Sequence, residues 1–424
     1  DFYLILVVIL GLLAIADLMV GVSNDAVNFL NSAIGSKVVS FKTLMVIASL
    51  GVAFGAISSS GMMEVARKGI FNPEMFVFSE IMIIFMAVMI TDILLLDVFN
   101  SYGLPTSTTV SIVFELLGAA VVISLIKLSA LDLSLVELSD YINTSKATQI
   151  IFGIFFSVIV AFSIGALIQF ISRIILSFKF EEKAKWMGSL FGGIALTSIF
   201  YFIVIKGLKG TPYSENQYDI LGGLSISNFI DINLTMIVLL SLLILTILSY
   251  LFNSVFKLNI YTLIICVGTF ALALAFAGND LVNFIGVPIA GYESFLAWSA
   301  SGVSAESFTM EILSEKVSAP TFILLGAGII MVLTLWTSSK AKSVIKTSID
   351  LSRQEETIER FEPNFLSRFL VRAGSAFVEN FSKITPKPIL DFVDSQYIKP
   401  KINTLILRKD RPAFDKIRAS VNLV

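Results

Sequence analysis

Two aspartates lie in a short motif that the chain uses twice. The pattern Asn-Asp-x-x-Asn-Phe occupies residues 24–29 and again residues 279–284. Carboxylate and amide oxygens are ligands for hard cations, and neither copy contains a lysine or arginine that would neutralise its aspartate. A bound cation is therefore the natural partner of each carboxylate. The candidate cation ligands are Asn24, Asp25, Asn28, Asn279, Asp280 and Asn283.

A second segment, residues 105–109, places four consecutive hydroxyl residues directly after a proline. Proline is common in the first turn of a helix, so the segment predicts a helix N-terminus. The unpaired N–H groups and the positive dipole end of such a terminus attract anions, and hydroxyl groups add donors. The same sequence is also an ordinary N-cap, so both interpretations stay open. The candidate anion ligands are Ser107, Thr108 and Thr109, with Asn24 and Asn279.

The two candidate sites depend on each other electrostatically. An anion beside Asp25 and Asp280 would be repelled unless cations lie between them or protons neutralise the carboxylates. Binding of the anion is therefore expected to be coupled to that of a cation. Because the chain contains no histidine, sodium ions that bridge the carboxylates and the anion are the simplest choice. Protonated aspartates are the alternative.

The elements that carry these residues are predicted to be membrane helices. Of the 424 residues, 56% are apolar and only 15% are charged, and the mean hydropathy is +0.88. Soluble proteins contain about 25% charged residues. A lone strand cannot satisfy its backbone hydrogen bonds in lipid, so each span is expected to be a helix. We predict an all-α, polytopic membrane protein with spans near residues 2–22, 43–62, 75–99, 105–128, 148–172, 186–205, 229–256, 259–277 and 318–337.

The composition also excludes several protein classes. Without histidine there is no Ser-His-Asp triad and no His-ligated zinc. The single cysteine, Cys266, cannot form an internal disulfide, and it lies in an apolar run where a thiol acts as a small hydrophobe. No nucleophile has a base beside it. We therefore expect no enzyme, no organic cofactor and no nucleic-acid partner.

Basic connections between the spans predict the orientation. Residues 173–185 and 340–346 are rich in lysine and arginine. Placing both connections in the cytoplasm puts the N-terminus outside, at the cost of leaving Arg67 and Lys68 on the outer side. We expect the chain to be a multi-pass protein of the cell membrane, plasma or inner.

Each copy of the repeated motif follows a long apolar span, the first and the eighth in this count. An odd number of crossings separates them, so the two spans cross in opposite directions. Inverted-topology repeats of this kind build many secondary transporters, with the substrate near the midplane. Poor helix formers such as Gly21 and Ser23 predict broken or re-entrant helices with unwound backbone at the motifs. We divide the chain into a first transport repeat (1–130), connecting spans (131–258), an incomplete second repeat (259–345) and a charged segment (346–424).

The charged segment contains one clear helical pattern, in which apolar residues recur every four positions and form one face. Either this helix packs on the rest of the protein, or it lies on the membrane surface, which basic residues would favour. We expect it in the cytoplasm. The apolar positions are Phe365, Phe369, Ala373, Phe377 and Phe381, and the basic ones are Arg368, Arg372 and Lys383.

These motifs, together with residues 64–70, resemble the inorganic phosphate transporter (Pit) family. The resemblance covers residues 1–130 and 259–345. It implies inverted repeats, a homodimer, and symport of inorganic phosphate driven by sodium or, in some members, by protons.

Three departures from the family pattern matter. Val110 stands where many members have histidine. The Asn-Asp pair in both motif copies resembles the sodium-coupled members. A second Pro-x-Ser-Thr-Thr is missing after Asp280, and Thr337-Ser338-Ser339 is no substitute because no proline precedes it. The helix that would precede such a second motif should begin near Arg411-Pro412, so we expect the sequence to be a truncated or partial version of a longer transporter.

The leading hypothesis is a sodium-coupled phosphate symporter that works by alternating access. A proton-coupled phosphate or sulfate permease is the nearest alternative, because donors at a helix N-terminus do not identify the anion. A non-transporting membrane receptor or scaffold is the alternative from another class. Glu80 and Glu115, two acidic residues inside predicted spans, are expected to line the pathway or to pair internally, and a location at the membrane boundary is the alternative.

Overall fold

The computed structural model describes residues 2–59, 70–208, 214, 216–314, 319–353, 362–399 and 411–424. The all-α prediction is confirmed, since most of these residues lie in α-helices and a two-stranded ladder joins Gln217–Tyr218 (β1) to Leu224–Ser225 (β2). The helices are α1 (Phe2–Ser36), α2 (Phe41–Ser58), α3 (Phe78–Tyr102), α4 (Thr108–Ala130), α5 (Leu138–Tyr141), α6 (Thr144–Leu176), α7 (Ser189–Phe202), α8 (Ile226–Ser254), α9 (Ile260–Ser301), α10 (Thr321–Thr337), α11 (Ser339–Leu351), α12 (Phe365–Ile384), α13 (Lys387–Gln396) and α14 (Lys416–Leu423).

Within the described ranges, eight helical segments are long and apolar enough to cross a membrane. Seven of them are α1, α2, α3, α4, α6, α8 and α9. The eighth is the stretch Lys185–Ile205, which contains α7. The pair α10 and α11, bent by 66° at Ser338, is a ninth candidate. Each of the nine predicted spans overlaps one of these segments, so the prediction of a multi-pass membrane protein is confirmed. Residues 64–69, including Arg67 and Lys68, lie outside the described residues, and the orientation stays a prediction.

The two motif helices, α1 and α9, pack against each other at the centre of the bundle through reciprocal contacts. The ring of Phe284 covers Gly21, where a Cβ would overlap the ring. The ring of Phe29 lies 5.3 Å, centroid to centroid, from that of Phe276. Adding the 255-residue offset between the motifs to 21 and 29 yields 276 and 284. The same pair of positions therefore meets twice with the helices exchanged, which is how a two-fold axis repeats a contact.

The backbone does not unwind at either motif, so that prediction is wrong for the motif helices. Helix α1 is continuous through residues 24–29, and α9 is continuous through residues 279–284 and through Pro288. The polar side chains find partners on neighbouring elements, so the helix does not need to open to accommodate them. The helix break of this bundle lies instead at Ser338, between α10 and α11.

Two further expectations concern the last described segments. The helix expected near Arg411-Pro412 is present as α14, which begins at Lys416 and packs into the bundle, with Leu423 against Gly268. No residue of α12 is buried. The alternative in which α12 packs on the rest of the protein therefore finds no support among the described residues.

Candidate cation and anion site

The aspartate of the first motif is held by the segment that follows Pro105. Asp25 lies on α1 with only 3% of its surface exposed. Thr108, the first residue of α4, donates from Oγ1 to Oδ2 of Asp25 at 2.8 Å. Asn28, one helical turn after Asp25, donates from Nδ2 to the other carboxylate oxygen at 3.5 Å. Two predicted ligands and one predicted anion donor thus meet at one carboxylate.

The aspartate of the second motif is reached by the next residue of the same segment. Thr109 Oγ1 donates to Oδ1 of Asp280 at 3.4 Å. Asn283 Nδ2 donates to Thr109 Oγ1 at 2.9 Å and lies 3.4 Å from Asp280 Oδ1. Adjacent threonines therefore connect two carboxylates that are 255 residues apart in the sequence. The two aspartates, the two threonines, Asn28 and Asn283 therefore form one cluster.

Helix α4 begins later than the proline predicts. Thr108 is its first residue, and Ser107 is the N-cap, whose Oγ accepts from the backbone N–H of Val110 at 3.3 Å. The backbone N–H of Ser111 donates to the carbonyl of Ser107 at 3.0 Å. The amides of Thr108 and Thr109, in the first turn of α4, take part in neither bond and can face an anion.

Asn24 positions the turn that leads into α4. Its Nδ2 donates to the carbonyl of Leu104 at 3.1 Å and to Oδ1 of Asn100 at 2.8 Å. Its Oδ1 accepts from the backbone N–H of Thr106 at 2.8 Å. Asn100 in turn donates to the carbonyl of Val20, which ties the C-terminal end of α3 to α1. The predicted ligand role of Asn24 is untested, and these contacts add a positioning role that the sequence did not reveal.

Asn28 and Asn279 are exposed, although they are not equivalent positions of the two motifs. Asp280 and Asn283 are partly exposed. The second half of the cluster is therefore more open than the first, in which Asn24 and Asp25 are buried.

Glu80 and Glu115 have different surroundings. Glu80 closes the N-terminus of α3, because its Oε2 accepts from the backbone N–H of Val77 at 2.9 Å and pairs with Lys127 at 3.0 Å. Internal pairing is the alternative that fits Glu80. Glu115 accepts from Ser111 at 2.8 Å and lines a groove of about 740 Å³ between α3 and α4.

Another reciprocal contact involves the serines that follow α2 and α10. Ser59, at the end of α2, donates to the carbonyl of Gly278 in α9 at 3.1 Å. Ser338, at the end of α10, lies 2.8 Å from the hydroxyl of Ser23 in α1. Ser23 and Gly278 are equivalent positions of the two motifs. The sequence did not predict the contact of Ser338 with the first motif.

One buried carboxylate was missed. Asp17 lies on α1, eight residues before Asp25, and is fully buried. It is the single charged residue of the apolar run from residue 2 to residue 24. A charged residue inside a membrane span is a functional candidate by default, so the signal was present in the sequence.

Taken together, a bundle of membrane helices with buried carboxylates, hydroxyls and a helix N-terminus at one cluster defines a multi-pass membrane protein of the transporter class. The chain belongs to the phosphate transporter family, whose family model matches residues 21–348. The resemblance read from the motifs is thereby confirmed.

Two known proteins are similar to this chain. A protein of Thermococcus kodakarensis, named as a putative phosphate permease, is 26% identical over 320 residues, which cover 72% of this chain and 68% of that protein. A solved structure described as the sodium-dependent phosphate transporter matches with a TM-score of 0.52 and 18% identity, over 83% of this chain and 79% of that one. The structural likeness confirms the fold.

Proposed function

We propose that this chain is a sodium-coupled symporter of inorganic phosphate that works by alternating access. The observation that carries the proposal is the pair of adjacent threonines, Thr108 and Thr109, that contact the two motif aspartates. Family membership and the names of the similar proteins support phosphate as the substrate.

The phosphate site is proposed at the N-terminus of α4. The backbone amides of Thr108 and Thr109 and the positive end of the helix dipole favour an oxyanion there. Ser107, Thr108 and Thr109 supply hydroxyl donors, and Asn24 and Asn279 orient the anion. The hydroxyl groups that now donate to Asp25 and Asp280 can turn towards phosphate once cations satisfy the carboxylates.

The sodium site is proposed at the two motifs, with the six ligands predicted from the sequence. Asp25 and Asp280 would repel a phosphate at Thr108 and Thr109, so sodium must neutralise them before or together with phosphate binding. This electrostatic requirement is what couples the two fluxes. Without sodium, Asp25 and Asp280 would retain the hydrogen bonds to the threonines, and neither threonine hydroxyl would be free for the anion.

Alternating access is proposed to arise from two inverted halves, residues 1–130 and 259–345. The reciprocal contacts of Phe284 with Gly21 and of Phe29 with Phe276 support an approximate two-fold axis between α1 and α9. Rocking of the halves about this axis would expose the cluster to each side in turn. We further propose a homodimer in the cell membrane, as the family resemblance implies.

Uptake of labelled phosphate into proteoliposomes that contain the purified chain tests the proposal. We expect uptake to require an inward sodium gradient and to be lost in Asp25→Asn and in Asp280→Asn. Asp391→Asn, which removes an exposed carboxylate of α13, is the matched control and should retain uptake. Uptake driven by a proton gradient alone would mean that the coupling ion is the proton and not sodium. If unlabelled sulfate inhibits the uptake of labelled phosphate as strongly as unlabelled phosphate does, a permease for both anions is favoured. If no uptake occurs under either gradient, the non-transporting receptor or scaffold is favoured.

A further inference from the structure

A second cluster of buried acidic groups lies beside α1, apart from the motif aspartates. Asp17 is fully buried, and neither of its carboxylate oxygens has a hydrogen-bond partner. Its carboxyl lies within hydrogen-bonding reach of that of Asp92 on α3, which is 1% exposed. Two buried carboxyls face each other, and a proton on one of them is the donor that the pair itself can supply. Two ionised carboxylates at this position are expensive in a low-dielectric interior unless a proton or a cation lies between them.

The hydroxyl of Ser111 joins a third carboxyl to this pair. It lies 2.6 Å from Oδ1 of Asp92 and 2.8 Å from Oε1 of Glu115. Because one hydroxyl has one proton, it can donate to only one of these oxygens at a time. Oδ2 of Asp92 and Oε2 of Glu115 are also buried without a partner. Four carboxylate oxygens of the cluster therefore lack a donor, counting both oxygens of Asp17.

We propose that Asp17, Asp92 and Ser111 form a second sodium site, with Glu115 at its entrance. No group of three or more acidic, histidine or cysteine side chains in the described residues has the geometry to hold a metal by itself. The site is accordingly built on two carboxyls and a hydroxyl. A single shared proton would satisfy one oxygen pair, whereas a cation with oxygen ligands satisfies several oxygens at once.

The position of the site relative to the first cluster indicates its role. Asp17 precedes Asp25 by eight residues on one continuous helix, which is about 12 Å along the axis. The groove between α3 and α4 is lined by Glu115 and Ser111 and continues to Ser107 at the phosphate site. Residue 272, the equivalent of Asp17 in the second motif helix, is leucine. The site therefore has no equivalent on α9, and the groove connects its Ser111 and Glu115 with Ser107.

Binding of radioactive sodium to the full chain in lipid nanodiscs, without phosphate, tests this inference. The background variant Asp25→Asn/Asp280→Asn removes the carboxylates of the first site, so that any remaining sodium binding reports the second. We expect saturable binding of one sodium per chain in this background. Adding Asp17→Asn should raise the sodium concentration for half-saturation by about tenfold or more, since even an outer ligand partner of a metal site is worth about 10–100-fold.

A smaller substitution keeps the test valid if the Asp17→Asn variant does not fold. Ser111→Ala should weaken sodium binding in the same background, whereas Ser124→Ala, at a fully buried serine of α4 that donates only to the carbonyl of Ala120, should not. Sodium binding that is absent from the background variant, or unchanged by Asp17→Asn and Ser111→Ala, would overturn the inference. The inference concerns sodium binding and not transport. Loss of phosphate uptake with retained binding would refute the proposed function alone.

Discussion

Thr108 and Asp25 are joined by a 2.8 Å hydrogen bond between side chains that are both at least 97% buried. This bond fixes the N-terminus of α4 against the first motif helix. The neighbouring Thr109 donates to Asp280 at 3.4 Å. A single turn of α4 therefore contacts both carboxylates. In the proposed mechanism, a cation on either aspartate therefore frees the threonine hydroxyl that donates to it.

The first prediction concerns Thr108. Replacing it with valine preserves the shape of the side chain and removes the hydroxyl that donates to Asp25. A hydrogen bond to a charged group is worth about 1.5–3 kcal/mol, so sodium-driven phosphate uptake should fall by about tenfold or more. Thr108→Ser should restore most of the activity.

The matched control for Thr108 is Thr148→Val on α6. The hydroxyl of Thr148 donates only to the carbonyl of Thr144, and its side chain is exposed. Proteoliposomes with this variant should take up phosphate at the wild-type rate. Equal uptake by the Thr108 and Thr148 variants would contradict a role of the Thr108 hydroxyl in binding.

The second prediction concerns the contact between the two motif helices. Gly21→Ala adds a Cβ that overlaps the ring of Phe284, and overpacking of this kind typically costs about 1–3 kcal/mol. Thermal unfolding in detergent should therefore begin at a lower temperature. Gly11→Ala, in the same helix with open space around the position, should be neutral or slightly stabilising because alanine favours the helix.

The third prediction separates a positioning role from a ligand role at Asn24. Asn24→Asp retains the oxygen that accepts from the Thr106 amide and loses the donor to Leu104 and Asn100. If positioning dominates, Asn100→Ala should impair phosphate affinity as well, although Asn100 is absent from the predicted ligand set. Apparent KM values for phosphate and for sodium should be measured in both variants. An Asn100→Ala protein with wild-type values would argue against the positioning role.

The fourth prediction concerns Glu80. Its carboxylate caps α3 and pairs with Lys127 at 3.0 Å, and both side chains are partly exposed. Glu80→Gln should leave the apparent KM for phosphate unchanged and lower the unfolding temperature slightly, since partly exposed ion pairs contribute about 1 kcal/mol or less. A marked rise of KM in this variant would instead place Glu80 on the pathway.

The fifth prediction concerns α12, whose apolar face is exposed at Phe369, Phe377 and Phe381. We expect this face to lie on the bilayer surface, assisted by Arg368 and Arg372. In a Cys266→Ser background, an environment-sensitive dye on Phe377→Cys should shift to the blue when the protein is in liposomes. The same dye on Glu379→Cys, on the polar face, should not shift, and equal shifts at the two positions would refute the orientation.

Some features of the site were predictable because they are local properties of the sequence. The membrane spans follow from the length of the apolar runs, because a helix needs about 20 apolar residues to cross a bilayer. The repeated aspartates and the hydroxyl run were visible as motifs, and Asp17 could have been noticed by the same reasoning. The backbone at the motifs was predicted wrongly, because the polar residues of α1 are satisfied by side chains and carbonyls that other helices supply.

The sequence by itself determined which groups are available: two carboxylates in equivalent motifs, a row of hydroxyls after a proline, and a family to which those motifs belong. Tertiary structure alone decided that Thr108 faces Asp25 while Thr109 faces Asp280, and that Asp17 meets Asp92. Helical periodicity sets the side of a helix on which a residue lies, but the partner depends on packing between helices far apart in the chain. The reciprocal contacts of α1 and α9 are consequences of that packing.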